Sequence, residues 1–296
     1  MDGSAWDRIA AWRDRRMGDA GDLWHRAIID PTVREVVGPV RGLRVLDLGC
    51  GNGYLTRRWA REGAARSVGV DGSAASLRYA RRREHARPTG AQFLRRDAAA
   101  LVGLEDGSFD AVVANMSLMD IADLEGAVLE AARVLASTGR FVFAINHPCF
   151  DVDGRSAWVV ERVWYEETVA RKVAGYREAR AVRVPWKLDD GSYAYTTGYH
   201  RPLPSYFAAL RSAGLAVTRL EEPWPLPEAV AKSPQGRFLM EVPLHLVVEA
   251  VPRPPAIATR GSRTSARTPG RASLRSAVAR RRRGSGSTGR GSRPGS

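Results

Sequence analysis

Arg44-Val45-Leu46-Asp47-Leu48-Gly49-Cys50-Gly51-Asn52-Gly53-Tyr54-Leu55 is the stretch that decides how this 296-residue chain is read. It opens as a short apolar run containing a β-branched residue, the composition of a buried strand. Glycines follow at 49, 51 and 53, and then a helix-forming segment from Leu55 to Glu62. Glycine has no Cβ, so a backbone built from it can turn sharply and come close to a ligand. The helix beyond starts with unpaired N–H groups and the positive end of its dipole, both aimed at the turn. A strand, a glycine turn and a helix in that order predict a site for a nucleotide-like cofactor.

The fingerprint of a pyridine dinucleotide site places a glycine three residues after its second one. Counted from Gly49 and Gly51, that place holds Tyr54. What stands here instead is Asp47-x-Gly49-x-Gly51-x-Gly53, with an acid inside the strand end. This pattern resembles the first motif of class I S-adenosylmethionine-dependent methyltransferases. The chemistry is in keeping with that difference: a pyrophosphate seeks bare N–H groups, whereas the ammonium of a methionine moiety suits an acid and backbone carbonyls.

Working outward, Ser67-Val68-Gly69-Val70-Asp71 reads as a second strand whose last residue lies 20 positions beyond Gly51. A carboxylate there can accept both hydroxyls of a ribose. Ser73 is placed to cap the next helix, Ala74 to about His85. A third strand, Ala91 to Arg96, ends at Asp97-Ala98, and a fourth, Phe109 to Ala114, ends at Asn115-Met116-Ser117. After a helix from Leu124 to Leu135, a fifth strand runs from Gly139 to Ile145 and ends at Asn146-His147-Pro148-Cys149. Ligands of such sheets sit beyond the carboxyl ends of the strands. Asp47, Gly49, Gly51, Gly53, Asp71 and Asp97 match the resembled family one by one, and the resemblance implies that Asp97 and the next N–H meet the adenine edge. The full set of cofactor candidates is Asp47, Gly49, Cys50, Gly51, Asn52, Gly53, Asp71, Gly72, Asp97, Ala98 and Asn115. The resemblance implies an α/β fold, a Rossmann-like doubly wound sheet of seven strands with the last one antiparallel. It implies S-adenosylmethionine as cofactor and S-adenosylhomocysteine as product.

Three helices are expected ahead of this core. Ser4 to Arg16 carries Trp and Ile at helical spacing, with Ser4 and Asp7 resembling a capping box. A second helix spans Asp19 to Ile29 and is stopped by Asp30-Pro31, and a third runs from Pro31 to Val37. The resemblance implies that residues 1–38 form a helical lid, with Trp6, Trp12 and Trp24 expected either over the site or packed on the sheet. From Phe150 to Tyr206 the helical period gives way to short β-like pieces, Trp158 to Trp164, Ala179 to Val184 and Tyr193 to Tyr199. A hairpin turn is expected at Asp189-Asp190-Gly191. Ten of the 23 aromatics fall in this stretch, which suggests a substrate pocket. The expected organisation is lid 1–38, cofactor core 39–149, inserted β-rich cap 150–202, returning core 203–251 and a tail 252–296. The returning core reads as helix Leu203 to Ala213, strand Leu215 to Leu220, a proline-rich crossing from Pro223 to Pro234, and strand Leu244 to Val251.

Methyl transfer from a sulfonium needs alignment and exclusion of water, and a hydroxyl or ammonium acceptor also needs a base. His147, at the end of strand five, and His200, in Tyr199-His200-Arg201-Pro202, are the catalytic candidates. Tyr199, Arg201, Trp24 and His147 are the substrate-binding candidates, Arg201 for a carboxylate or phosphate. The two clusters resemble a subset of bacterial methyltransferases acting on small molecules. The expected reaction is methyl transfer to an O, N or C nucleophile of a small, specialised metabolite.

The net charge of +14 raises a second reading, an RNA- or DNA-directed enzyme. Twelve arginines and no acid lie from Arg253 to Ser296, which leaves 34 basic against 32 acidic residues in the rest. The basic character is a tail property, and the tail has no Phe or Tyr on which bases could stack. Its Arg, Gly, Ser, Thr and Pro predict disorder. Asn115-Met116-Ser117-Leu118 also lacks the Pro-Pro-aromatic signature of base-amino methyltransferases. Two cysteines and five histidines, in no ligand-like spacing, predict no disulfide framework and no metal. No apolar run reaches the ~18 residues of a membrane span. The expectation is a cytoplasmic monomer or homodimer with a small-molecule acceptor and no membrane or nucleic-acid partner.

Overall fold

The computed structural model describes residues 3–152, 154–232 and 236–253. The strands are β1 (Arg44–Leu48), β2 (Arg66–Asp71), β3 (Gln92–Arg95), β4 (Phe109–Asn115), β5 (Leu135–Asn146), β6 (Ser156–Val163), β7 (Glu166–Val173), β8 (Arg180–Lys187), β9 (Tyr193–His200), β10 (Leu215–Glu221) and β11 (His245–Pro252). Seven of them form one sheet in the order β10-β11-β5-β4-β1-β2-β3. β1 pairs in parallel with β2 and β4, and β11 pairs antiparallel with both β5 and β10. β11 is therefore the one strand of this sheet running against the others, as the sequence predicts. The order reverses between β1 and β4, so the carboxyl ends of those strands open onto a crevice.

Period-two alternation explains why both faces are apolar. Leu46, Val112, Phe141 and Phe143 face one side, where α5 (Leu124–Val134) and α6 (Leu203–Ser212) cover them. Val45, Val113, Val142 and Val247 face the other, under α2 (Asp30–Val37) and α3 (Tyr54–Arg61). α4 (Ala74–Ala86) is capped by Ser73, whose Oγ accepts the Ser76 N–H. α1 (Gly3–Met17) packs on α4.

Local departures from the sequence reading have physical causes. Asp30-Pro31 does not stop a helix: the helical path runs from Leu23 to Val37, through a π-turn at His25–Ile29. The Asp30 N–H bonds to the His25 carbonyl, and Pro31 falls in the first turn of α2, where its missing N–H is tolerated. Ser4, expected at the cap, is the second residue of α1. Asp7 instead reaches to α4, where its Oδ1 accepts the Ser73 hydroxyl at 2.6 Å and the Ala75 N–H at 2.8 Å. The β-like pieces after residue 150 are two antiparallel hairpins, β6–β7 and β8–β9. β7 escapes the sequence reading because Glu166-Glu167-Thr168 is polar and exposed. The turn at Asp189-Asp190-Gly191 is present, closed by the Leu188 N–H to the Ser192 carbonyl. The proline-rich crossing contains a short helix, α7 (Pro227–Lys232). The tail expected to be disordered lies, from residue 254 on, outside the described residues.

Candidate active site

Gly49, Gly51 and Gly53 all have left-handed backbones, with φ of 72°, 56° and 70°. Their reasons for being glycine differ. A Cβ on Gly53 would stand 2.3 Å from Phe93 Cε1, so the turn packs against β3 through that bare Cα. A Cβ on Gly51 would meet nothing within 4 Å and would project into the crevice. The Asp71 carboxylate closes the turn from the side: Oδ2 accepts the Gly51 N–H at 2.9 Å and Oδ1 the Ser73 N–H at 2.7 Å. Each oxygen keeps a lone pair for a ligand hydroxyl. Burial pushes the Asp71 carboxyl above its usual range. Asp47 sits beneath the turn, where Oδ2 accepts the Thr56 hydroxyl at 2.7 Å. Burial, aided by the charges of Asp71 and Asp30, pushes Asp47 up to about 7.

The crevice at the turn is walled by Gly49, Cys50, Gly51, Asn52 and Asp71, by Asn115, Met116 and Ser117 at the end of β4, and by Trp6, Ala10, Arg13, Asp14 and Met17 of α1. Asn52 ties the two sides together, its Nδ2 donating to Asp14 Oδ1 at 3.0 Å and to the Gly18 carbonyl at 2.9 Å. α1 packs over the turn and walls a cavity of about 90 Å³. At the strand end, Asn115 Nδ2 donates to Asp30 Oδ1 at 2.9 Å, and Tyr54 Oη donates to the same oxygen at 3.0 Å. Asp30 Oδ2 and Asn115 Oδ1 are buried and have no hydrogen-bond partner among the described residues. The next residue, Met116, has φ of 56°, a left-handed backbone that costs a non-glycine residue roughly 1–3 kcal/mol and clusters at functional sites.

A second cavity of about 360 Å³ adjoins the first, and five residues line both: Trp6, Arg13, His25, Met116 and Asp120. Its walls are aromatic and apolar, with Trp24, Trp158, Trp186, Ile29, Met119 and Leu244. Asn146, Asp151 and His245 supply polar points. Trp186 of β8 joins the hairpin to α1, with ring centroids 5.8 Å from Trp6 and 5.7 Å from Trp12. Burial pushes the His245 imidazole down to about 4, so it is neutral at physiological pH.

The structure brings Gly49, Cys50, Gly51, Asn52, Asp71 and Asn115 to the first cavity and Trp24 to the second. Gly53, Gly72 and Ala98 are on neither wall, and Ala98 is buried. Asp97 is exposed and its Oδ1 accepts the Ala99 N–H, closing a local turn. His147 lines neither cavity: the Cys149 N–H donates to its Nδ1 at 3.2 Å, and its Nε2 faces Glu222 Oε1 at 3.1 Å. Side chains alternate along an extended chain, so it is Asn146, one residue earlier, that reaches the cavity. His200 is buried and bonds the Tyr176 carbonyl at 2.8 Å. Arg201 lies over the Tyr199 ring and donates to the carbonyls of Ile121 at 2.6 Å and Ala122 at 2.7 Å, so it ties β9 to the loop after β4. The residues sequence reasoning missed are Arg13, Asp22 and His25. Asp22 precedes the first helical residue, Leu23, and its Oδ1 accepts the His25 N–H, so the three-residue spacing of this acid and histidine was the usable sequence signal.

Against known proteins, residues 46–143 match a family described as a methyltransferase domain. The crystal structure of an S-adenosylmethionine-dependent methyltransferase from Mesorhizobium loti matches with a TM-score of 0.61 at 27% identity, over 74% of this chain and 95% of that one. Residues 46–143 thus carry a methyltransferase domain, and the fold is that of an S-adenosylmethionine-dependent methyltransferase. A demethylmenaquinone methyltransferase of Thermus thermophilus is 37% identical over 131 residues, 44% of this chain and 57% of that one. A ubiquinone biosynthesis O-methyltransferase of a Chelativorans strain is 36% identical over 111 residues, 36% of this chain and 42% of that one. The chain thus spans about half the length of these curated relatives. S-adenosylmethionine, the cofactor of such domains, fits the donor set of this site. The open space at Gly51 admits a ligand against bare backbone. Asp71 and Asn115 face that space with acceptor capacity to spare, and the acids Asp14 and Asp71 on the wall suit a ligand bearing a sulfonium and an ammonium. Among the described residues no cluster of His, Cys, Asp or Glu could hold a metal ion, and no helix is long and apolar enough to cross a membrane.

Proposed function

We propose that this protein transfers a methyl group from S-adenosylmethionine to an O, N or C nucleophile of a small molecule with a flat, largely apolar body. The observation that carries this reading is the shared wall of the two cavities: a ligand at the glycine turn and a ligand among Trp24, Trp158 and Trp186 would be separated by single side chains. The cofactor supplies an electrophilic methyl on a positively charged sulfur. The protein's own share is placement and desolvation. Asp71 takes ribose hydroxyls, the turn from Gly49 to Gly53 offers backbone without side chains, and Asn115 and Asp14 take polar groups of the amino-acid end. The tryptophan walls hold a ring by face and edge and keep water from the reacting atoms. Two curated relatives are named for demethylmenaquinone and for ubiquinone biosynthesis, which supports a ring-bearing acceptor. The nucleic-acid reading has no support in the cavities: of the five side chains common to both, only Arg13 is a fixed cation, and it lies 3.8 Å from the Asp22 carboxylate.

The test is a mass-shift screen of phenolic, quinol and amine metabolites with purified protein and S-adenosylmethionine. A gain of one CH₂ on a member of the set is the expected result. Absence of heat on calorimetric titration with S-adenosylhomocysteine would refute the reading at its base.

A further inference from the structure

We propose that His25, oriented by Asp22, is the general base that receives the acceptor's proton; this rests on the methyl-transfer reading above. Asp22 Oδ1 accepts the His25 backbone N–H at 3.0 Å and faces its ring Nδ1 at 2.8 Å. A carboxylate can only accept, so Nδ1 carries the ring proton and Nε2 is left as the basic nitrogen. Tyr54 stands edge-on to the ring, with centroids 6.0 Å apart at 85°, and fixes its plane. The π-turn begins at this residue, the kind of local bulge that re-aims side chains at functional sites.

Position singles the residue out further. Of the five side chains common to both cavities, Trp6 and Met116 have no useful basicity and Arg13 stays protonated. Asp120 is a far weaker base than an imidazole. The charged and titratable groups around His25 are Asp22, Arg13 at 3.8 Å from Asp22, the Asp30–Tyr54 pair and His245 across the cavity. The nearest of these is the Asp22 carboxylate, which would offset the imidazolium formed in the reaction. The step balances: a lone pair of the acceptor atom X (a π pair where X is carbon) forms the X–CH₃ bond, the pair of the broken C–S bond returns to sulfur, the X–H pair stays with the acceptor, and the released proton goes to His25 Nε2.

The experiment uses the full chain labelled with ¹⁵N-histidine. Long-range ¹H–¹⁵N spectra at pH 8 should show His25 with Nδ1 protonated and Nε2 bare, and Asp22→Ala, which removes the acceptor at Nδ1, should release the ring from that single tautomer. An Nε2–H tautomer in the wild type, or a tautomer unmoved by Asp22→Ala, overturns the proposal. With the acceptor found by mass shift, His25→Gln should lower kcat about 10²- to 10⁴-fold, and its affinity for S-adenosylhomocysteine should stay within about threefold. The acidic limb of the kcat–pH profile should vanish in His25→Gln; a merely structural histidine would leave that limb in place. A His25→Gln protein that binds S-adenosylhomocysteine and keeps kcat refutes the base alone. A wild-type protein that does not bind it refutes methyl transfer itself.

Discussion

Gly53→Ala separates packing from ligand space at the turn. Two costs add at this position. An alanine at φ of 70° pays left-handed strain of roughly 1–2 kcal/mol. Its Cβ would also lie 2.3 and 2.6 Å from Phe93 ring atoms and 3.1 Å from Ala80 Cβ, an overpacking that costs typically about 1–3 kcal/mol. Phe93 is held between α4 and the turn, so it cannot swing away freely. The sum, about 2–5 kcal/mol, corresponds to a fall in Tm on the order of 10 °C for a domain of this size. Gly51→Ala is the control: its φ is 56° and its Cβ meets nothing within 4 Å, so only the backbone strain remains and Tm should fall by a few degrees. The ligand readout should reverse the order. Gly51→Ala puts a methyl into the crevice and should weaken S-adenosylhomocysteine binding more than tenfold. Differential scanning calorimetry and isothermal titration together decide it. Equal Tm losses in the two variants would refute the packing argument, and unchanged affinity in Gly51→Ala would refute the placement of the ligand.

Asp71→Asn should weaken S-adenosylhomocysteine binding about 10- to 100-fold in calorimetry, since hydrogen bonds to a charged acceptor are worth roughly 1.5–3 kcal/mol; full affinity would remove Asp71 from the site. Asp47, held near 7 when folded and near 4 when unfolded, keeps its proton longer in the folded state. Its contribution to stability therefore falls as pH rises from about 4 to about 7 and is lost above. Denaturant melts of Asp47→Asn against wild type should show the variant gaining relative stability across that window; a constant difference would refute it. Arg201→Ala should lower Tm by several degrees, because the Ile121 and Ala122 carbonyls lose their donor, and should leave S-adenosylhomocysteine affinity unchanged. A loss of acceptor affinity at constant Tm would return Arg201 to the substrate site.

The sheet was legible because its signals are local. Val45 to Leu48, the three glycines and Asp71 each state their role within a few residues. The proton chemistry was harder to read. His147 looked well placed because strand five ends there, but alternation along the extended chain points Asn146 at the cavity and His147 at Glu222. Arg201 looked like an anion grip, and only the fold shows three backbone carbonyls in front of it. The aromatic enrichment after residue 150 did announce a cavity, though not its builders. Trp186 meets Trp6 across 180 positions of sequence, and no local pattern encodes such a meeting.

The roof over the glycine turn is fastened largely by ions. Arg83 bridges Asp14 at 2.6 Å and Asp19 at 3.0 Å, Asn52 bonds Asp14, and Asp7 is hooked onto the first turn of α4. Trp6, Ala10, Arg13, Asp14 and Met17 of α1 form one wall of the cavity at the turn, so an adenosyl compound enters and leaves past this helix. Ligand traffic through this doorway thus answers to ionic strength: dissolved salt loosens the Arg83 clasp and hastens exchange, while the apolar sheet below is indifferent to it.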